Sequence, residues 1–238
     1  MTSPSTISPA RLLHERSALQ AVFFDLDGTL ADTAPDLAVA LNRLRAEAGL
    51  ARLPLASIRP KVSGGTPALL GLAFDRIDLH SEEFQRLRTR FLALYGERVA
   101  EQTLLFPGME EVLSFVETAG LPWGVVTNKP GWLTHRLLDA LDLSTRARCI
   151  VSGDTTTHRK PHPAPLLHAA DLLSVKAAQC AFAGDARDDI VAGHKAGMKT
   201  LVARFGYIDP SEDTAAWGAD GEAHAPADIV HWLRSWTV

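Results

Sequence analysis

The stretch "AVFFDLDGTLADT", residues 21–33, runs four apolar residues into two carboxylates, Asp25 and Asp27, and then into a glycine turn. A continuous apolar run bounded by turn residues reads as a strand covered on both faces. Folding alone gives no reason to end such a strand in two acids two residues apart. A close pair of carboxylates either raises the pKa of one member or requires a cation. The pair marks where chemistry is expected, and the strand that carries it sets the fold class.

Working outward, four more short apolar runs repeat the pattern: "WGVVT" (123–127), "RCIVSG" (148–153), "CAFAGD" (180–185) and "KTLVA" (199–203). Amphipathic segments precede or separate them at 108–120, 131–142, 163–173 and 187–196, and "APADIVHWLRSW" closes the chain as a helix. Strands alternating with helices predict an α/β, doubly wound parallel sheet, Rossmann-like in its layers. One connection breaks the rhythm. About 95 residues separate the first strand from the second, where a crossover needs roughly 30. They hold "PDLAVALNRLRAEAGL", "TPALLGLAF" and "SEEFQRLRTRFLALYGERVA", all helical in period and without a convincing strand. The expected organisation is therefore an N-terminal tail at 1–20 with one short helical turn, a core of 21–32 and 105–238, and an inserted helical cap at 33–104. An insertion leaving the core beside the acid pair suits a lid.

Composition narrows the function classes. Nearly half the residues are apolar, the net charge is −4, and no basic run is present, which argues against a nucleic-acid partner. No apolar stretch approaches the roughly 20 residues of a bilayer helix, which argues against a membrane partner. Cys149 and Cys180 lie in apolar runs and read as core residues. A cytoplasmic protein is the expectation. No Gly-x-Gly-x-x-Gly or Gly-x-x-x-x-Gly-Lys run offers a nucleotide phosphate loop.

The ligand crevice of a parallel sheet lies at the carboxyl ends of its strands. There the sequence places Asp25 and Asp27, then Thr127 and Asn128, then Asp185 with Asp188 and Asp189 beyond it, while "SGDTTTHRKPHP" brings Lys160. Taken singly, each is a turn residue, a helix cap or a solvated charge. Taken together, acids with one lysine and one hydroxyl suggest a divalent cation holding an anion, and a small set of hard oxygen ligands suits Mg²⁺.

"DLDGTLADT", "VVTNKP", the lysine of "HRKPHP" and "GDARDD" occur in the order of the four motifs of the haloacid dehalogenase superfamily, which the chain resembles from residue 21 to its end. The insertion resembles the cap of the phosphoglycolate phosphatase-like branch. "KVSGG", "LPWGVVTNKP", "ARFGYI" and "WGAD" are most similar to the bacterial N-acetylmuramic acid 6-phosphate phosphatases of that branch. The resemblance implies an enzyme acting on a small phosphorylated metabolite. Asp25 is the implied nucleophile, and Asp27 the acid and then the base. Thr127, the Asn128 amide, Lys160 and Gly28, whose glycine permits the close turn after Asp27, would bind the transferred phosphoryl oxygens. Mg²⁺ would be held by Asp25, Asp185 and the backbone carbonyl of Asp27, with Asp189 reaching it through water and Asp188 secondary.

An acid at Asp27 points to oxygen leaving groups, since a departing halide needs no proton. A phosphomutase would use the same groups. A phosphonatase would want a cap lysine, for which Lys61 is the one candidate, and a non-catalytic binding protein on the same scaffold is the alternative from another class. In the cap, Ser63, Gly64 and Gly65 of "VSGG" are the expected substrate loop. Their small side chains and accessible amides rank N-acetylmuramic acid 6-phosphate slightly ahead of 2-phosphoglycolate.

Overall fold

The computed structural model describes residues 19–75 and 77–236, so the helical turn expected in the N-terminal tail lies outside the described residues. The chain begins with β1 (Ala21–Phe24), β2 (Ala31–Asp32), α1 (Ala34–Glu47), α2 (Leu55–Ile58) running into a 3₁₀ turn at Arg59–Lys61, α3 (Gly65–Ala73) and α4 (Glu82–Glu97). It continues through β3 (Leu104–Leu105), α5 (Met109–Thr118), β4 (Trp123–Val126), α6 (Gly131–Ala140), β5 (Cys149–Val151) and α7 (Ala164–Leu172). The last elements are β6 (Cys180–Gly184), α8 (Arg187–Ala196), β7 (Lys199–Ala203), β8 (Gly221–Ala223) and α9 (Pro226–Arg234).

Six strands form one parallel sheet in the order β5-β4-β1-β6-β7-β8. Both faces of β1 are covered, which is why its sequence is apolar without alternation. Val22 and Phe24 join a core with Trp123, Val125 and Leu201, while Ala21 and Phe23 join another with Val126, Val151 and Phe182. Phe24 meets Trp123 edge to face at 6.3 Å. The chain winds from β1 toward β5 and then returns to β6 on the other side, so the order reverses at β1 and a crevice opens there.

Two helices show their end signals clearly. Ser81 Oγ accepts from Phe84 N at 3.1 Å and starts α4, and α8 stops at Gly197, whose φ of +76° favours glycine. Four of the five expected strands end a residue or two early at their polar ends, and at two of these the next N–H still pairs as the chain turns away: Asp25 N donates to Ala183 O, and Thr127 N to Val151 O, both at 2.9 Å. Two features were not expected from the sequence. The edge strand β8 has three residues in a polar run, and β2 pairs antiparallel with β3 in a two-residue ribbon. Both are too short for a periodicity to register.

That ribbon joins the segments that enter and leave the helical region α1–α4, and Asp36 reinforces it. Buried on α1, its carboxylate accepts from Gln102 N at 2.9 Å and from Thr103 N and Oγ1 at 2.9 and 2.8 Å. Arg59 adds a two-pronged ion pair to Asp32 at 2.8 and 2.5 Å. Removing the Asp36 carboxylate strands buried N–H donors. Asp36→Ala should therefore lower the unfolding free energy by about 2–3 kcal/mol in urea titrations; a loss below about 0.5 kcal/mol, typical of a surface site, would show that the joint does not depend on this carboxylate.

Candidate active site

Asp25 is the first residue past β1. The chain then turns on itself, with Leu30 N donating to Asp25 O at 3.3 Å and Ala31 N to Leu26 O at 3.0 Å. Leu26 and Leu30 anchor the turn in the core. Gly28 holds φ at +91°, and a Cβ there would lie 2.1 Å from Asp185 Oδ2. Its glycine lets the turn lie against Asp185, so Gly28 packs beside the crevice and does not line it.

Carboxylate oxygens of Asp25, Asp185 and Asp189 lie within 4.8 Å of one another. Lys160 reaches into this group from the loop after β5: its ammonium is 2.8 Å from Asp25 Oδ1 and 2.7 Å from Asp189 Oδ1, and it donates to Val126 O at 2.8 Å. Asp185 accepts from Tyr207 N at 2.9 Å, Ser63 Oγ at 2.8 Å and Thr29 Oγ1 at 3.3 Å. Burial pushes Asp185 up to about 8, with the Asp25 and Asp189 charges adding to it. Burial also lifts Asp25 to about 6 against the opposing pull of Lys160. For Lys160, burial disfavours the charge, but Asp189 and Asp25 outweigh it and keep the ammonium charged. Three buried carboxylates around one ammonium leave an excess of negative charge that a hard divalent cation offsets, and an all-oxygen donor set fits Mg²⁺.

Asp27 stands apart from that cluster. Its Oδ1 accepts from Lys129 Nζ at 2.8 Å and from Thr33 Oγ1 at 2.6 Å. Lys129, from "VVTNKP", is buried, and its ammonium lies 4.4 Å above the ring of Tyr95 on α4. Neither residue stood out in the sequence. A lysine in a turn reads as solvated, and a tyrosine at core spacing on a helix reads as packing. The one available signal was that Lys129 lies two residues past the strand-end hydroxyl of Thr127.

Thr127, Asn128, Lys160 and Asp189 meet Asp25 and Asp27 around a cavity of about 120 Å³. Val62, Ser63, Gly65 and Tyr95 of the helical region complete its walls. The Asn128 side chain is committed to the Lys160 backbone, donating to its carbonyl at 3.0 Å and accepting from its N–H at 3.1 Å. It thereby fixes the Lys160 loop to the end of β4. Gly64 faces a neighbouring hollow beside Asp185 and Tyr207. Lys61 pairs with Asp209 at 3.2 Å outside the cavity, so no lysine from the helical region lines it. His158 and His162 stack at 4.2 Å away from the lining, and both cysteines are buried free thiols.

Residues 22–203 match the haloacid dehalogenase-like hydrolase family. The chain belongs to this family. As a member it is similar to a phosphoglycolate phosphatase of Xanthomonas campestris pv. campestris, 42% identical over 210 residues, which span 88% of this chain and 94% of that one. It is also similar to the N-acetylmuramic acid 6-phosphate phosphatase of Pseudomonas aeruginosa, 40% identical over 92% of this chain and 96% of that one. The crystal structure of a predicted phosphoglycolate phosphatase from Haemophilus somnus 129pt superposes with a TM-score of 0.80 at 28% identity, covering 90% of this chain and 97% of that one. The family's hydrolase architecture is thus that of this enzyme, with an α/β Rossmann-like core. Among the described residues no helix is long and apolar enough to cross a membrane.

The raised Asp25 and Asp185 give a pH test. Between pH about 4 and about 8 the folded state keeps protons that the unfolded state releases, so these two acids make the metal-free protein less stable as pH rises through that window. A cation in the cluster removes that loss but must displace the protons at lower pH. The rise in Tm on saturating with Mg²⁺ should therefore be larger at about pH 8 than at about pH 5, and should vanish in Asp185→Asn. A rise that is the same at both pH values, or survives Asp185→Asn, places the cation elsewhere.

Proposed function

We propose that this enzyme is a Mg²⁺-dependent phosphomonoester hydrolase that works through an aspartyl phosphate on a small phosphorylated metabolite, 2-phosphoglycolate or N-acetylmuramic acid 6-phosphate. The observation that carries this reading is the separation of the two acids of one turn. Asp25 faces the acid cluster and Lys160, whereas Asp27 is held on the other side by Lys129 and Thr33. That separation supports a reading in which one acid meets phosphorus and the other meets the leaving oxygen. Both relatives' names, phosphoglycolate phosphatase and N-acetylmuramic acid 6-phosphate phosphatase, support the class of reaction.

Asp25 attacks phosphorus in line. The ester P–O bond breaks, the phosphoryl group passes to the Asp25 carboxylate, and the leaving alkoxide takes a proton from Asp27. Water then attacks the acyl phosphate as Asp27 removes its proton, releasing inorganic phosphate and restoring Asp25. Lys160 and the Thr127 hydroxyl hold the transferred oxygens through both steps. Asp25, Asp185 and the Asp27 carbonyl would hold Mg²⁺, with Asp189 reaching it through water, and the bound ion offsets charge on the phosphoryl oxygens. Residues 33–104 act as a cap over the core formed by 21–32 and 105–238. The cap's Val62, Ser63 and Gly65 close the cavity above the acids.

Asp25→Asn should abolish phosphate release while leaving the circular dichroism spectrum unchanged; activity that persists after deamidation is excluded contradicts the covalent step. In single-turnover measurements Asp27→Asn should slow release of the alcohol from alkyl esters by at least about 100-fold, and from an aryl phosphate, whose leaving group needs little protonation, far less. Equal losses on the two esters would remove Asp27 from the role of acid.

A further inference from the structure

We infer that Lys129 and Tyr95 form the part of the site that receives a carboxylate on the leaving group, next to the ester oxygen; this rests on the hydrolase reading above. An ammonium carries three N–H donors, and the two lysines of the cavity use theirs differently. Lys160 has an acceptor for each: Asp25, Asp189 and the Val126 carbonyl. Lys129 has one carboxylate, Asp27 Oδ1 at 2.8 Å, and beneath it lies Tyr95, its ring at 4.4 Å and its hydroxyl close enough to interact with the ammonium. Lys129 lines the cavity beside Asp27, together with the apolar Leu37, Leu69, Phe91 and Leu133. Unshared donors of a buried cation favour an anionic acceptor strongly in such surroundings.

Tyr95 supplies the independent observation. It is 1% exposed and belongs to the cavity's lining, and its hydroxyl interacts with the Lys129 ammonium but makes no hydrogen bond of good geometry among the described residues. Buried hydroxyls are nearly always well paired in folded proteins, so one left with a single poorly aligned neighbour beside a cavity has capacity for a ligand. An ammonium and a phenol together match the two oxygens of a carboxylate.

Position decides which carboxylate. Asp27 protonates the ester oxygen, so an ammonium 2.8 Å from Asp27 stands beside that oxygen. In 2-phosphoglycolate the carboxylate is bonded to the carbon that bears the ester oxygen. In N-acetylmuramic acid 6-phosphate it sits on a lactyl ether across the sugar ring. The site therefore suits phosphate esters of 2-hydroxycarboxylates, which reverses the ranking drawn from the glycine run, whose Gly64 does not face the cavity.

Binding and turnover test this together. In Asp25→Asn with Mg²⁺, calorimetry should give 2-phosphoglycolate at least about tenfold tighter binding than ethyl phosphate, as expected for charge-assisted hydrogen bonds. Lys129→Met should bring that ratio near one. Tyr95→Phe, which removes only the hydroxyl, should reduce it by a smaller factor. With Asp25 intact, kcat/KM for 2-phosphoglycolate should fall further than that for ethyl phosphate in both variants. Preferential binding through Lys129 without hydrolysis of any ester would sink the hydrolase reading and keep this assignment. Equal losses on the two esters would overturn it, leaving Lys129 to act through Asp27 alone. So would a preference for N-acetylmuramic acid 6-phosphate that Lys129→Met abolishes.

Discussion

The Lys160 ammonium is the contact on which the rest of the site depends. It joins Asp25 past β1, Asp189 on α8 and the carbonyl of Val126 at the end of β4, all within 2.8 Å. A buried cation with a full set of acceptors is stable only if every one of those elements is in register, because losing any acceptor strands charge in a medium that cannot solvate it. The parallel sheet supplies that register. Asn128 supplies the other half by gripping both polar groups of the Lys160 peptide unit from the β4 side.

Around this point the charges divide into two compartments. One holds Asp25, Asp185, Asp189 and Lys160, rich in negative charge and fitted to a divalent cation. The other holds Asp27, Thr33, Lys129 and Tyr95. A phosphate ester has the same two parts, a phosphoryl group that needs positive charge and a leaving group that needs a proton. The two-residue offset between Asp25 and Asp27 places one acid in each compartment, and Gly28 lets the turn pack hard against Asp185.

The strand-end residues were legible in the sequence because continuous apolar runs locate strand ends to within a residue or two. Asp25, Thr127 and the loop lysine Lys160 accordingly line one cavity, and Asp185 joins Asp25 in the acid cluster beside it. Lys129 was not legible. Its burial comes from Tyr95, on a helix that the sequence could only describe as amphipathic, and contacts between distant segments leave no mark on local periodicity. The β2–β3 ribbon and β8 were hidden by brevity, and a glycine pair says that the backbone can approach something without saying what. The pair in fact splits, Gly65 toward the acids and Gly64 toward Tyr207.

The central claim is that Asp25 carries the phosphoryl group, and it can be read directly. In Asp27→Asn an aryl phosphate still loses its leaving group without a proton, whereas breakdown of the acyl phosphate lacks its base, so the intermediate should accumulate. Acid quench followed by peptide mass spectrometry should find phosphate on Asp25 within residues 21–33, with a burst of aryl alcohol approaching one per enzyme. A linear release of alcohol with no phosphate on Asp25, or phosphate on another residue such as His158 or His162, would contradict the account.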